Sequence, residues 1–319
     1  MTTHKEWIQL KYRRLGKTEL KVSVVGVGTW QFSGAWGKDY TQDEVDAILD
    51  KARDLGINLL DTAECYGPHL SESFIGSYIE RRKNRADWVI ATKFGHNHLD
   101  RENPSKNYWS AEEVLKQLDA SLLALKTDYV DLYQFHSGSD EDFNNDELWT
   151  ALDKQVQAGK VRSLGISIGS NSNVYQTDAS TKVGAKAIQV IYNRLDQVPE
   201  QHVFPSCQRQ DLGVLARVPL ASGFLSGKYK PGSVFAENDV RSRRDQEQSQ
   251  TRLQIVQDIV RKEVPAGVDM ATWALAWCLK HPAVSCVIPG CKSPQQVEMN
   301  AAAATLDEVA DDHPQAWNN

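Results

Sequence analysis

The sequence predicts a TIM-type (β/α)8 barrel, an α/β fold in which eight parallel strands form a closed sheet with helices outside it. Three observations point there. Eight short β-rich runs punctuate the chain, and most are continuously apolar, as strands covered on both faces must be. Helical patterns with recognisable start signals separate them. The first seven runs recur roughly every 30 residues, the length of one βαβ unit.

Val22 to Gly28 (VSVVGVG) opens the series, and Thr41 with Glu44 gives the helix that follows a capping-box spacing. Ile57 to Asp61 is the second strand and Trp88 to Phe94 the third, after which Ser110 and Glu113 repeat the capping signal. Tyr129 to His136, Val161 to Ser167, Ala187 to Asn193 and Gly213 to Leu220 continue the alternation. The next interval is longer. It holds a Gly/Ser/Lys-rich stretch (SGFLSGKYKPGS), a charged stretch (VRSRRDQEQSQ) and helical segments near Thr251 to Lys262 and Ala271 to Lys280, so an enlarged loop after strand seven is expected. Val284 to Gly290 completes the eight. No linker or composition break divides the chain, and residues 1–319 read as one domain.

Composition agrees with a large buried core: 41% of residues are hydrophobic, and 36 Lys+Arg against 42 Asp+Glu leave a net charge of only −6. That acidic balance argues against nucleic-acid and membrane partners. The charged start and the lack of a bilayer-length apolar run argue against secretion and membrane spanning. Five scattered cysteines without a Cys-x-x-Cys pair suggest neither a disulfide framework nor a zinc knuckle, so a cytoplasmic location is expected.

The doubly wound sheet of many dinucleotide enzymes is the rival architecture. Its glycine fingerprint fails here, because the first βα turn (GVGTWQ) has Gly26 and Gly28 but Gln31 where a third glycine belongs. In a barrel, chemistry lies at the carboxyl ends of the strands. Strand two ends in Asp61 with Tyr66 five residues on, strand three carries Lys93 near its end, and strand four ends in His136. These side chains are expected to converge on one mouth. An ammonium beside a phenol stabilises the phenolate, while a carboxylate keeps the ammonium charged and in place. A tyrosine whose pKa is lowered in this way donates a proton to a carbonyl oxygen near neutral pH, and His136 is placed to orient that carbonyl.

These residues resemble the aldo/keto reductases, NAD(P)H-dependent oxidoreductases built on a (β/α)8 barrel. YRRLGKTELKVSVVGVGTW resembles the family's opening β-hairpin and first strand, and DTAECYG, ATKFG, SLLALKTDYVDLYQFH, GISI, IQVIYN and VIPGCKSPQQVEMN follow in family order over nearly the whole chain. The resemblance implies reduction of aldehydes or ketones to alcohols by hydride transfer from NADP(H), with NAD(H) also accommodated. Tyr66 is then the general acid, Lys93 and Asp61 its tuning partners and His136 the carbonyl orienter; no metal is needed. Cofactor contacts are implied from Gly28, Thr29, Trp30, Asp61, Ser167 and Gln189, from Pro219, Leu220, Ser222, Gly223 and Leu225, and from Gly290, Lys292, Ser293, Gln296 and Asn300. Arg217 stands where many members stack a tyrosine on the nicotinamide, and a guanidinium plane also stacks on an aromatic ring. Lys292 before the Ser293–Pro294 helix start offers a 2′-phosphate both charge and free amides. Ile168, Gln296 and Met299 depart from the family's usual asparagine, arginine and glutamate.

Each motif also has a plainer reading. Asp61 alone caps a turn, Lys93 alone ends a strand, His136 alone is a partly buried histidine, and Arg217 alone is an ion-pair residue under a loop. Ser293 with Gln296 forms a capping box without any ligand, and Ser167 and Gln189 satisfy hydrogen bonds within the barrel. Together the four strand-end residues favour a site over those readings. His96 and His98 have a spacing that chelates metal from a loop, but no carboxylate or cysteine partner is suggested nearby and they are expected to be exposed. Arg241, Arg243 and Arg244 either grip the cofactor pyrophosphate or, the favoured reading, form a solvated face. Trp30, Tyr108 and Trp109 fall in loops that line a pocket, or, for Trp109 before the Ser110 cap, that staple a helix. The competing function is a nucleotide-sensing regulatory or binding protein on the same fold with little turnover; the intact tetrad favours the enzyme acting on a small carbonyl or alcohol substrate.

Overall fold

The computed structural model describes residues 10–96, 108–243 and 245–317. An antiparallel hairpin comes first, β1 (Tyr12–Arg14) against β2 (Lys21–Ser23). Eight parallel strands follow, each hydrogen-bonded to the next in chain order: β3 (Val27–Gly28), β4 (Leu59–Asp61), β5 (Val89–Phe94), β6 (Val130–His136), β7 (Val161–Ser167), β8 (Ala185–Ile191), β9 (Gly213–Arg217) and β10 (Cys286–Val287). The sheet closes on itself at a short seam. There the Gly26 amide donates to the Val287 carbonyl at 2.9 Å, the Val287 amide to Val24 at 2.9 Å, and the Gly28 amide to Pro289 at 3.0 Å.

The run expected as one first strand is thus split. Val22 belongs to the hairpin, whose Leu15 and Val22 plug the barrel floor against Leu59, Ala91, Leu132, Ala187, Leu215 and Cys286. Gly213 is required there, because a Cβ would lie 2.6 Å from the Leu15 backbone. Since side chains alternate along a strand, the residues two positions beyond that apolar floor face the same interior: Asp61, Lys93, Gln134, Gln189 and Arg217. The inward face changes from apolar to polar at the carboxyl end of the barrel. Residues of opposite parity, such as Leu60, Ile90, Tyr133, Ile188 and Val214, pack outward in the helix-covered core.

Helices cover that face for sequence reasons already visible. Thr41 and Glu44 form a reciprocal capping box at the start of Gln42–Asp54, and Ser110 accepts from the Glu113 amide at the start of Ala111–Leu125. The enlarged segment after β9 contains the helices Gln246–Lys262 and Met270–Lys280. It holds a core of its own, with Phe224 and Leu225 packed on Leu253, Val256 and Trp273. Among the described residues no helix is long and apolar enough to cross a membrane.

Candidate active site

Strand register brings the charged residues together at the barrel mouth. Lys93 is fully buried, and each of its three N–H donors has an acceptor: Asp61 Oδ2 at 3.0 Å, the Thr62 carbonyl at 2.7 Å and the Tyr66 hydroxyl oxygen at 3.2 Å. Tyr66 therefore accepts from the lysine, and its own O–H remains to be donated into the space above. The other Asp61 oxygen accepts from Gln189 Nε2 at 2.6 Å. His136, at the end of β6, faces Tyr66 edge-on with ring centroids 6.4 Å apart. Trp30 stacks on Tyr66 with centroids 6.0 Å apart.

Electrostatics correct one expectation. Burial opposes the Lys93 charge, but Asp61 and Tyr66 outweigh it and hold the ammonium above its ordinary range. For Tyr66, burial pushes the phenol up to about 12, because the pull of Lys93 is too weak to offset desolvation and the Asp61 charge adds to the rise. The phenol is raised, not lowered. At neutral pH Tyr66 holds its proton.

Above the tetrad lies a cavity of about 530 Å³ whose wall includes Asp61, Tyr66 and His136 together with four cations, Arg217, Lys228, Arg241 and Lys292. Arg241 grips Asp239 through Nε at 2.8 Å and NH2 at 2.6 Å, with its guanidinium over the rings of Phe235 and Tyr229. Lys292 donates to the Trp36 carbonyl at 2.6 Å. Burial and then repulsion from Arg241 hold its ammonium below the usual lysine range. Arg217 donates to the Ile168 carbonyl at 3.2 Å, and its buried Nε has no acceptor among the described residues.

The aldo/keto reductase family model matches residues 24–318. The chain belongs to the aldo/keto reductase family. It is 32% identical to an uncharacterized oxidoreductase, YqkF, of Bacillus subtilis, over 96% of this chain and 95% of that one. It is 31% identical to a putative voltage-gated potassium channel subunit beta of Schizosaccharomyces pombe, over 95% and 90%. Among solved structures, the holo form of aldo-keto reductase AKR11C1 from Bacillus halodurans superposes with a TM-score of 0.78 at 28% identity, covering 96% of this chain and 95% of that one.

Of the residues that the aldo/keto reductase resemblance nominates for the cofactor, Gly28, Thr29, Trp30, Asp61, Gln189, Arg217, Pro219, Leu220, Ser222, Gly223, Gly290, Lys292, Gln296 and Asn300 line the cavity. Three lie elsewhere. Ser167 is buried behind Gln189, to which its hydroxyl donates at 3.4 Å; Leu225 packs into the core under the loop; and the Ser293 hydroxyl accepts from the Gln296 amide at 3.3 Å. Gln296 reaches one residue beyond the expected capping box, its side-chain oxygen accepting from the Lys292 amide at 2.8 Å.

Two expectations are overturned. Arg241 is buried rather than solvated, because Asp239 neutralises it and Tyr229 and Phe235 sandwich it; Arg243 alone of the described pair is exposed. His96 lines the cavity instead of an exposed loop, its ring 4.5 Å from that of His136. His98 and Arg244 lie outside the described residues. Trp109 packs on Phe135, with centroids 4.3 Å apart, and is not part of the cavity wall. Sequence reasoning misses Trp36, Lys228 and Tyr229 as wall residues, since nothing in a loop's composition says which way it folds. Asn193 acquires a role: buried in the turn after β8, it donates to the Val218 carbonyl at 3.1 Å and accepts from the Leu195 amide at 2.9 Å. Val218 has φ 55°, a left-handed conformation costly for a β-branched residue, directly after Arg217.

Proposed function

We propose that this aldo/keto reductase reduces small aldehydes or ketones to alcohols with NADP(H), using Tyr66 as general acid, and that it works in the cytoplasm. The observation that carries the reading is the polarity of Tyr66. Its oxygen accepts from Lys93 while its proton is left for a group in the cavity. Tyr66 donates that proton to a carbonyl oxygen as negative charge develops there, and the phenolate left behind is met at once by the Lys93 ammonium, which Asp61 holds in place. His136 orients the carbonyl oxygen. Trp30 and Trp36 in the wall limit water around the transfer. Five unpaired cysteines are the usage expected of a reducing compartment.

The residues present fit a nicotinamide dinucleotide. Arg217, with one buried N–H unpartnered, and Gln189 offer polar contacts beside the tetrad. Lys228, Arg241 and Lys292 line the cavity, and of these Arg241 is paired with Asp239, which leaves a positive excess suited to a phosphate near the start of the Pro294–Ala302 helix. When bound, the reduced cofactor supplies the hydride. The test is a panel of aldehydes and ketones assayed with NADPH and NADH in parallel. Oxidation of NADPH in preference to NADH, dependent on the carbonyl compound, is expected. Tight NADPH binding with no oxidation by any reactive aldehyde would sink the reductase reading and favour a nucleotide-sensing role.

A further inference from the structure

Beside Tyr66 stand two side chains that the proton-transfer chemistry does not use. Glu64 and Cys65 come from the loop after β4, and one donor atom from each lies within 4.8 Å of the other and of a His136 ring nitrogen. Cys65 Sγ is 3.8 Å from His136 Nδ1. A tetrahedral zinc ion with Zn–S about 2.3 Å and Zn–N about 2.0 Å sets those two atoms about 3.5 Å apart, so the pair is already near coordination distance. Glu64 is only 6% exposed; Oε1 accepts from the His96 amide at 3.0 Å, whereas the buried Oε2 has no donor among the described residues. A buried carboxyl group with one oxygen unpartnered, on a residue that stands beside a thiol and an imidazole, is what a cation would complete.

The donor set decides the class of ion. Sulfur and nitrogen ligands favour zinc and its thiophilic neighbours over magnesium or calcium, which prefer all-oxygen shells. Three protein ligands leave a fourth position, and since Cys65 and His136 both line the cavity, that position faces the space where a carbonyl must approach Tyr66.

We propose that Glu64, Cys65 and His136 form an inhibitory site for a zinc-class cation, which closes the carbonyl pocket when occupied. Binding forms one bond each to sulfur, nitrogen and oxygen; the thiol proton and the proton that burial and Glu72 keep on the Glu64 carboxyl are both released to solvent, and nothing is oxidised or reduced. The ion fixes the His136 ring and fills the approach to Tyr66, so ion and substrate exclude one another. A chelator restores the pocket.

The test titrates Zn2+ into the full-length protein in competition with a chromophoric chelator. A site whose affinity falls by at least about 100-fold in Cys65→Ala is expected, beyond the roughly 10 to 100-fold that removing a mere supporting partner costs. Glu64→Gln should weaken it by at least about tenfold. Wild-type affinity retained by either variant, or no binding by the wild type, overturns the proposal. Co2+ added to the wild-type protein gives a reading independent of how the variants fold: a thiolate-to-cobalt charge-transfer band is expected, and its absence overturns the assignment of Cys65. Zn2+ should also inhibit carbonyl reduction reversibly while Mg2+ at the same concentration does not, each rate normalised to the metal-free enzyme; equal inhibition by both ions counts against the site. Because binding is read without turnover, failure of the metal site and failure of the reductase reading give different results.

Discussion

Burial strips Lys93 of water, and its ammonium stays charged because Asp61, the Thr62 carbonyl and Tyr66 replace all three water contacts. The same burial raises Tyr66, so the phenol keeps its proton at neutral pH, and in the proposed mechanism the lysine acts on the phenolate as it forms. Tyr66→Phe removes the proton and leaves the ring, so carbonyl reduction should fall by about 10² to 10⁴ while NADPH affinity is kept. A loss below about tenfold in the single-turnover rate would mean that another group supplies the proton. Burial first, and then repulsion from neighbouring cations, hold Lys292 below the usual lysine range, and a phosphate dianion would relieve the second. A charge-assisted hydrogen bond contributes about 1.5 to 3 kcal/mol, so Lys292→Ala should raise the Kd for NADPH by roughly 10 to 150-fold and barely change that for NADH. Equal weakening of both cofactors, read by fluorescence titration, would place the lysine away from the 2′-phosphate. The tetrad is legible in the sequence because Asp61, Lys93 and His136 interrupt or end apolar strands, where a polar residue has few other reasons to be, and Tyr66 follows Asp61 by five residues. Arg241 is not, because its burial depends on Asp239, Tyr229 and Phe235 meeting in a long loop whose path no local pattern encodes.

At the scale of elements, continuous apolar runs predict the strands well, since strands buried on both faces have no alternative composition. The ends are less legible. The Val22 to Gly28 run divides between hairpin and barrel because Val22 and Val27 are equally apolar, and only the tertiary plug at the floor separates their roles. The turn joining β9 to the cavity loop is likewise set by a contact rather than by propensity, the Asn193 amide holding the carbonyl of left-handed Val218. Asn193→Ala leaves the Leu195 amide without its partner and the Val218 carbonyl with the Ala221 amide alone, which should lower stability by about 1 to 3 kcal/mol. Since Arg217 immediately precedes the strained residue, the KM for NADPH should rise more than kcat falls. Thermal unfolding and steady-state kinetics check both, and an unchanged KM would show that Arg217 is held by β9 alone.

Across the whole molecule, the closing segment near the C-terminus braces the barrel floor. The buried Arg13 donates to the Leu279 and Val284 carbonyls at 3.0 and 2.8 Å, and the Arg14 amide donates to Gln315 at 2.7 Å. His313 sits in this brace with Nδ1 accepting from the Gln315 amide at 3.1 Å. Burial first, and then the Arg13 charge, lower it from 6.5 to about 4. The unfolded chain therefore binds a proton that the folded one refuses between those two values, and stability falls as pH drops below about 6.5. His313→Gln should flatten that acid limb, seen as a smaller drop in Tm between pH 7 and pH 5 than in the wild type. An identical pH dependence in the two proteins would place the acid sensitivity in other groups.

The seam of the barrel joins residue 28 to residue 290, whereas Asp61 and Lys93 come from neighbouring strands and Tyr66 from the loop after the first of them. At a synthesis rate of about 5 to 20 residues per second, roughly 10 to 50 s separate the two edges of that seam on the ribosome. During that interval the proton-donating half of the site has its residues in hand, but Gly28 and Gly290 have not met to form the opposite wall of the cavity. The apolar floor stays open at one side for as long. Newly made chains thus pass through a period in which they offer chaperones an unclosed sheet edge and can reduce nothing.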